Sequence, residues 1–198
     1  MMRLLFSFLI LLLVACSGPR QEASSGFVGA DLTGARLGSD FSLTDSNGHV
    51  RTLSQFKGRV VALFFGYTHC PDVCPTTLAD LARAIDKLGE RGRDVQVLFV
   101  TLDPARDTPE ILGKYVPSFN PGFIGLRGNE DTTRKVAQDF KIFYAKQETG
   151  SRAGYTIDHS AGVYVFDRKG NIRLYLNHGQ SVQDIAHDLG VLLDERDE

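Results

Sequence analysis

The chain has 198 residues, of which 42% are hydrophobic and 23% charged, with a formal net charge of -2. That length suits one domain with a core of its own. A near-neutral balance without long runs of like charge offers no footing for nucleic acid or for an acidic surface.

The first residues are not expected to belong to the fold. Arg3 gives a basic start, and residues 4–14 form an apolar run. The run is shorter than the ~20 residues of a membrane-crossing helix. It ends in Leu13-Val14-Ala15-Cys16. Small residues before a cysteine resemble the bacterial lipoprotein signal, in which residues 1–15 are removed and Cys16 is acylated. The plainer alternative is a secretory signal cut elsewhere, with Cys16 incidental. Lipidation would place the protein outside the cytoplasm, facing the periplasm and anchored to a membrane. Several acyl chains hold firmly where one binds only marginally. Of three cysteines, Cys70 and Cys74 then remain as a pair, in a compartment where thiols tend to be oxidised. Residues 16–36, rich in Ser, Gly and Ala, are expected as lipidated N-terminus and flexible tether. The folded domain is expected over 37–193 and a short tail over 194–198.

Alternating segments on either side of Asp45-Ser-Asn47-Gly48 predict a β-hairpin. The nearly continuous apolar runs at 60–65 and 95–100 suit central parallel strands covered on both faces. Between them, Leu78, Leu81, Ala82, Ile85 and Leu88 recur at helical spacing over 76–91. This makes a βαβ unit, which is right-handed by rule. A second helix is expected from Pro109, with Asp107 or Thr108 as N-cap. A third is expected over 131–140, burying Val136, Ala137 and Phe140. Strands at 162–166 and 171–176 should form a hairpin. A last helix from Ser181, with Asp184 completing a capping box, should turn Val182, Ile185 and Leu189 inward. This order matches an α/β fold: a thioredoxin-like domain with an N-terminal β-hairpin and a helical insertion.

The most informative segment is His69-Cys70-Pro-Asp72-Val-Cys74-Pro75, directly after the first central strand. α/β folds place their sites at such strand ends. Pro75 suits a first helical turn and biases Cys74 away from helical angles, so Cys74 is expected in the loop near the N-cap. The start of a helix favours thiolates. Two buried structural cysteines, or a permanent disulfide closing a tiny loop, are the plainer alternatives. Soft thiolates select Cu(I), and an added imidazole also suits Cu(II). Redox-active thioredoxin relatives usually carry two residues between the cysteines; here there are three. They also place a cis-proline before the strand facing the pair, whereas this chain has no proline after Pro121. His159, in Tyr155-Thr-Ile-Asp158-His159-Ser, falls about where that proline would stand. A histidine there offers a third ligand.

These segments resemble the Sco/SenC family of copper-handling proteins. The matching stretches are Gly66-Tyr67-Thr-His-Cys70-Pro-Asp-Val-Cys74-Pro75, Thr101-Leu-Asp103-Pro-Ala-Arg-Asp107-Thr-Pro109 and Asp158-His159-Ser160. The resemblance implies one copper per chain, Cu(I) or Cu(II), bound by Cys70, Cys74 and His159. It also implies a role in building the binuclear copper centre of cytochrome c oxidase. There the protein would act as metal donor, as thiol reductant through Cys70 and Cys74, or as both. Its partner would be the copper-site subunit of the oxidase or another periplasmic copper protein. A thiol-disulfide oxidoreductase without metal is the alternative. A peroxiredoxin-like enzyme is weaker, because Tyr67 stands where its threonine or serine belongs.

Among neighbours, His69 is expected to point away from the pair, since adjacent residues in extended chain alternate. Asp72 serves a turn, tunes the thiols or docks a partner. Asp103 and Asp107 cap and turn the chain, or form an acidic docking rim. Asp158 is a candidate to orient His159. Tyr67 and Tyr155 either line the site or pack in the core. His49, His178 and His187 are expected to be solvated.

Overall fold

The computed structural model describes residues 26–150 and 154–195. The expected signal, Cys16 and the first part of the tether lie outside the described residues.

Ten strands and four α-helices follow in chain order among the described residues. They are β1 (Ala30–Asp31), β2 (Leu43–Asp45), β3 (Val50–Arg51), β4 (Val60–Gly66), α1 (Val73–Lys87), β5 (Val95–Thr101), α2 (Pro109–Tyr115), β6 (Ile124–Arg127), α3 (Glu130–Asp139), β7 (Tyr144–Glu148), β8 (Tyr155–His159), β9 (Val163–Phe166), β10 (Ile172–Leu176) and α4 (Val182–Asp194). Eight strands form one sheet in the order β1-β10-β9-β4-β5-β6-β2-β3, and β7 and β8 form a separate antiparallel pair. β4 runs parallel to β5 and antiparallel to β9, so it lies at the centre.

Both faces of the sheet are covered, which is why β4 and β5 are buried throughout and mostly apolar. On one face Ala62, Phe64, Val97 and Phe99 pack with Leu78, Leu81 and Ile85 of α1 and Leu189 of α4. On the other, Leu63, Phe65, Leu98 and Val100 pack with Val136 and Ala137 of α3 and with Phe140. The N-caps fall at the expected residues, but Asp184 accepts from the Ser181 hydroxyl at 2.8 Å instead of completing a capping box. The Thr108 side chain accepts from Ile111 N–H, and Ser181 accepts from Asp184 N–H at 3.1 Å.

The expected tether runs too far into the fold. β1 pairs with β10, and the Asp188 carboxylate of α4 accepts from the N–H groups of Val28 and Gly29 at 2.8 Å each. A buried carboxylate gains charge-assisted bonds there, so the folded part begins well before residue 37. α1 also starts earlier than expected, at Val73. It ends at Lys87, and a 3-10 helix over Gly89–Asp94 completes the connection to β5.

Candidate metal centre

Cys70 lies in the loop after β4, and Cys74 is the second residue of α1 rather than a loop residue before it. Pro75 does not prevent this. First-turn N–H groups have no acceptor within the helix, so an imino nitrogen there loses nothing. Asp72 takes the N-cap position, and its carbonyl accepts from Thr76 N–H at 3.1 Å. The Cys74 N–H then faces Cys70 Sγ at 3.4 Å.

Cys74 is fully buried, while Cys70 is part-exposed; both are free thiols. The buried sulfur fits because residue 66 has no side chain. A Cβ on Gly66 would fall 2.8 Å from Cys74 Sγ and 2.9 Å from the Phe99 ring.

His159 closes β8. Its Nε2 lies 3.5 Å from Cys74 Sγ, and its Nδ1 lies 2.8 Å from the Ser160 carbonyl. A carbonyl only accepts, so Nδ1 donates to it, which leaves Nε2 as the ring nitrogen facing the sulfurs. The ligand atoms of Cys70, Cys74 and His159 all lie within 4.8 Å of one another, the one such group of three among the described residues. At ~2.3 Å per metal–thiolate bond, two ligands on one ion stand at most ~4.6 Å apart. A spread of up to 4.8 Å exceeds that limit only slightly, so a small contraction of the two sulfurs and the imidazole closes them on a single soft metal ion.

The two thiols are not equivalent. Hydrogen bonding from the Cys74 thiol, then from His159 and the N–H groups of Cys74 and Asp72, pulls Cys70 down to about 3 against the cost of burial. Cys74 moves the other way, pushed up first by the same shared bond and then by burial. The pair thus holds one proton, with a thiolate at Cys70 and a thiol at Cys74. A metal held by both sulfurs must release that proton.

The surrounding residues hold the site rather than extend it. Asp107 is fully buried and accepts from Thr68 N–H at 3.0 Å, from Thr68 Oγ1 at 2.6 Å and from Thr101 Oγ1. It thereby pins the loop that carries Cys70. His69 Nδ1 lies 3.7 Å from Asp107, with 49% of its side chain exposed, and is outside the three-ligand group. Asp103 is equally buried, so neither carboxylate forms an exposed acidic rim. Asp103 pairs with Arg106 and accepts from Tyr155 Oη at 2.8 Å. Burial and that carboxylate push Tyr155 up to about 12, so its hydroxyl stays protonated. Tyr67 is buried, its Oη accepts from Ile157 N–H at 3.1 Å, and its ring meets that of His159 edge-on.

Asp158 is exposed, and the bond that orients His159 comes from the Ser160 carbonyl instead. Side chains alternate along β8, which turns residue 158 away from its neighbour. Asp72 is exposed beside Cys70. His49, His178 and His187 are exposed and stand outside the ligand group. Sequence reasoning missed Thr68, Arg106 and Gly66 as residues that hold the site, although all three lie within the segments that carry the resemblance.

Fold and site together define a thioredoxin-like domain with a thiolate, a thiol and an imidazole converging at the end of its central strand. The SCO1/SenC family model matches residues 29–194. An SCO2-like protein of Rickettsia felis is 39% identical over 144 residues, covering 72% of this chain and 69% of the relative. The solution structure of apo Sco1 from Thermus thermophilus superposes with a TM-score of 0.73 at 39% identity, covering 86% of this chain and 99% of that one. Copper-bound ScoI of Bradyrhizobium japonicum superposes with a TM-score of 0.72 at 37% identity, covering 78% and 98%. The chain belongs to the SCO1/SenC family.

Proposed function

We propose that this protein is a copper carrier. It binds one copper ion, Cu(I) or Cu(II), through Cys70, Cys74 and His159, and supports assembly of the binuclear copper centre of cytochrome c oxidase. The carrying observation is the set of three soft or borderline ligand atoms within 4.8 Å, one of them already a thiolate. Two thiolates suit Cu(I), and the imidazole makes the site suit Cu(II) as well. Family membership and the copper-bound relative support the same reading. The partner is the copper-site subunit of the oxidase or another periplasmic copper protein, with exposed Asp72 beside Cys70 as a docking contact.

The organisation that serves this role is a signal over residues 1–15, a lipid on Cys16, a short tether and a periplasm-facing domain. Among the described residues no helix is long and apolar enough to cross a membrane. In this reading the acylated cysteine provides the attachment.

The unequal thiols favour a second reading, reduction of a disulfide in the target. The Cys70 thiolate would attack one target sulfur and release the other as a thiol. Cys74, having given its proton to that leaving sulfur, would then displace the target, whose second sulfur takes a proton from water, leaving two target thiols and a Cys70–Cys74 disulfide.

One experiment separates the readings. Copper-loaded protein is mixed with the reduced, metal-free copper-site domain of the oxidase, and copper-free protein with the same domain oxidised. Carrier function predicts appearance of the binuclear copper spectrum in the first mixture. If only the second mixture reacts, by thiol exchange, the protein is a reductant. If neither reacts, the proposal fails.

A further inference from the structure

His159 rides on a pair of strands that stands apart from the main sheet, because β7 and β8 hydrogen-bond to each other and to none of the other eight strands. Ladder bonds therefore do not fix the distance between His159 and the two cysteines. Core packing of Ile157 and side-chain contacts from other elements do so together, and Arg106 brings both a hydrogen bond and a ring contact to Tyr155 of β8. Its guanidinium pairs with the buried Asp103 carboxylate, donates to the Tyr155 carbonyl at 2.8 Å, and stacks on the Tyr155 ring with Cζ 3.7 Å from the centroid. Tyr155 Oη returns a bond to Asp103 at 2.8 Å, which closes a ring of three residues. Two residues further along β8, the Ile157 N–H donates to Tyr67 Oη, and Tyr67 lies three residues before Cys70. The chain of contacts thus runs from the loop after β5, through β8, to the loop that carries the first thiol.

We propose that Arg106 is the positioning residue for the imidazole ligand: it locks β8 so that His159 Nε2 stands at the thiol pair. This rests on the copper-carrier reading and adds to it a residue that touches no metal. A planar guanidinium is suited to the task, since it can serve a carboxylate, a carbonyl and an aromatic face together, which a single ammonium cannot. Thiolates alone satisfy Cu(I), whereas Cu(II) depends on the imidazole. Loosening β8 therefore weakens Cu(II) binding and leaves Cu(I) binding almost unchanged.

Two variants test this. Arg106→Lys keeps the charge beside Asp103 but cannot also reach the Tyr155 carbonyl and ring. The double variant Arg106→Met with Asp103→Asn removes both charges, so that no buried carboxylate is orphaned if the lysine fails to fold. Cu(I) and Cu(II) affinities of the reduced full chain are measured by competition with chelators. The expected result is a Cu(II) affinity about tenfold lower, within the 10–100-fold range for groups that orient a ligand, with Cu(I) affinity within about twofold. The potential of the Cu(II)/Cu(I) couple then rises by about 59 mV per tenfold difference.

A cycle with His159→Ala removes the purely structural explanation. In that background Arg106→Lys has no further effect on Cu(II). Equal loss of both oxidation states, unchanged Cu(II) affinity, or a full additive loss without His159 overturns the proposal. If the parent protein takes up no copper at all, the carrier reading falls instead, and the two failures are thereby told apart.

Discussion

Gly66→Ala tests how the buried thiol is seated, using a single added methyl. The new Cβ would stand 2.8 Å from Cys74 Sγ and 2.9 Å from Phe99 Cε2. To reach ordinary contact, sulfur and ring must each retreat by about half an ångström in an interior packed like an organic crystal. Cys74 and Phe99 are both fully buried, so neither has open space to enter. Overpacking of this kind costs about 1–3 kcal/mol, and for a protein of this size each kcal/mol lowers Tm by about 2–4 °C. Thermal unfolding of the reduced, copper-free protein should therefore show a loss of about 2–12 °C. The displaced sulfur should also shift the thiolate-to-copper charge-transfer band of the Cu(II) form. Gly190→Ala is the control: its Cβ would meet Leu88 at 3.5 Å, an ordinary contact, and alanine favours the helix by about 1 kcal/mol. If Gly66→Ala unfolds at the parent temperature and its band stays in place, the steric seat described for Cys74 is wrong.

Asp107→Ala removes the acceptor of the part-buried Thr68 N–H and hydroxyl and of the buried Thr101 hydroxyl, and should cost about 2–4 kcal/mol in urea unfolding; a cost below 0.5 kcal/mol, on the scale of ordinary surface substitutions, would show that the carboxylate does not hold the Cys70 loop. His69→Ala should leave the copper stoichiometry and both affinities within about twofold, because the ring faces Asp107; loss of the bound metal would make it a ligand after all. Iodoacetamide mapped by mass spectrometry should label Cys70 first, at a rate nearly constant across about pH 4 to 8, since the thiolate is the reactive form. A rate rising tenfold per pH unit up to the ordinary thiol value of 9.0 would contradict the assignment. The linkage has a definite sign. Between about pH 3 and the ordinary thiol value of 9.0, the folded pair holds one proton and the unfolded pair two. The pair's contribution to stability therefore grows as pH rises through that window and is lost toward its acid end.

The core of the fold was legible because its signals are local. β4 and β5 are nearly continuous apolar runs, α1 carries its apolar residues at helical spacing, and Thr108 and Ser181 stand where caps belong. The strands that escaped sequence reasoning lack such signals. β6 is the four residues Ile-Gly-Leu-Arg, and β7, Tyr-Ala-Lys-Gln-Glu, is mostly polar and exposed beyond its first two residues. β1 is two residues paired with β10, and the residues just before it are held by Asp188, more than 150 positions away; no local pattern announces either.

The thiols and His159 were legible for different reasons. The cysteine spacing is written in five residues. The histidine was found through the absence of a late proline, and the structure brings its ring to the thiols. The residues that hold these groups were not legible. Arg106 lies 49 positions from the carbonyl it binds, and Asp107 lies 39 from Thr68. Pro75 misled for a physical reason: its restriction on the preceding residue is weaker than the advantage of a first-turn position that needs no N–H.

The central claim is that Cys70, Cys74 and His159 form one copper site. Its most direct test is an anaerobic titration of the reduced chain with Cu(I) and, separately, Cu(II), beside the variants Cys70→Ser and Cys74→Ser. The expected result is one copper retained per chain in either state, a strong thiolate charge-transfer band for Cu(II), and loss of both on replacing either cysteine. Tight stoichiometric copper in a variant lacking one of the thiols, or none retained by the parent chain in either state, would contradict it.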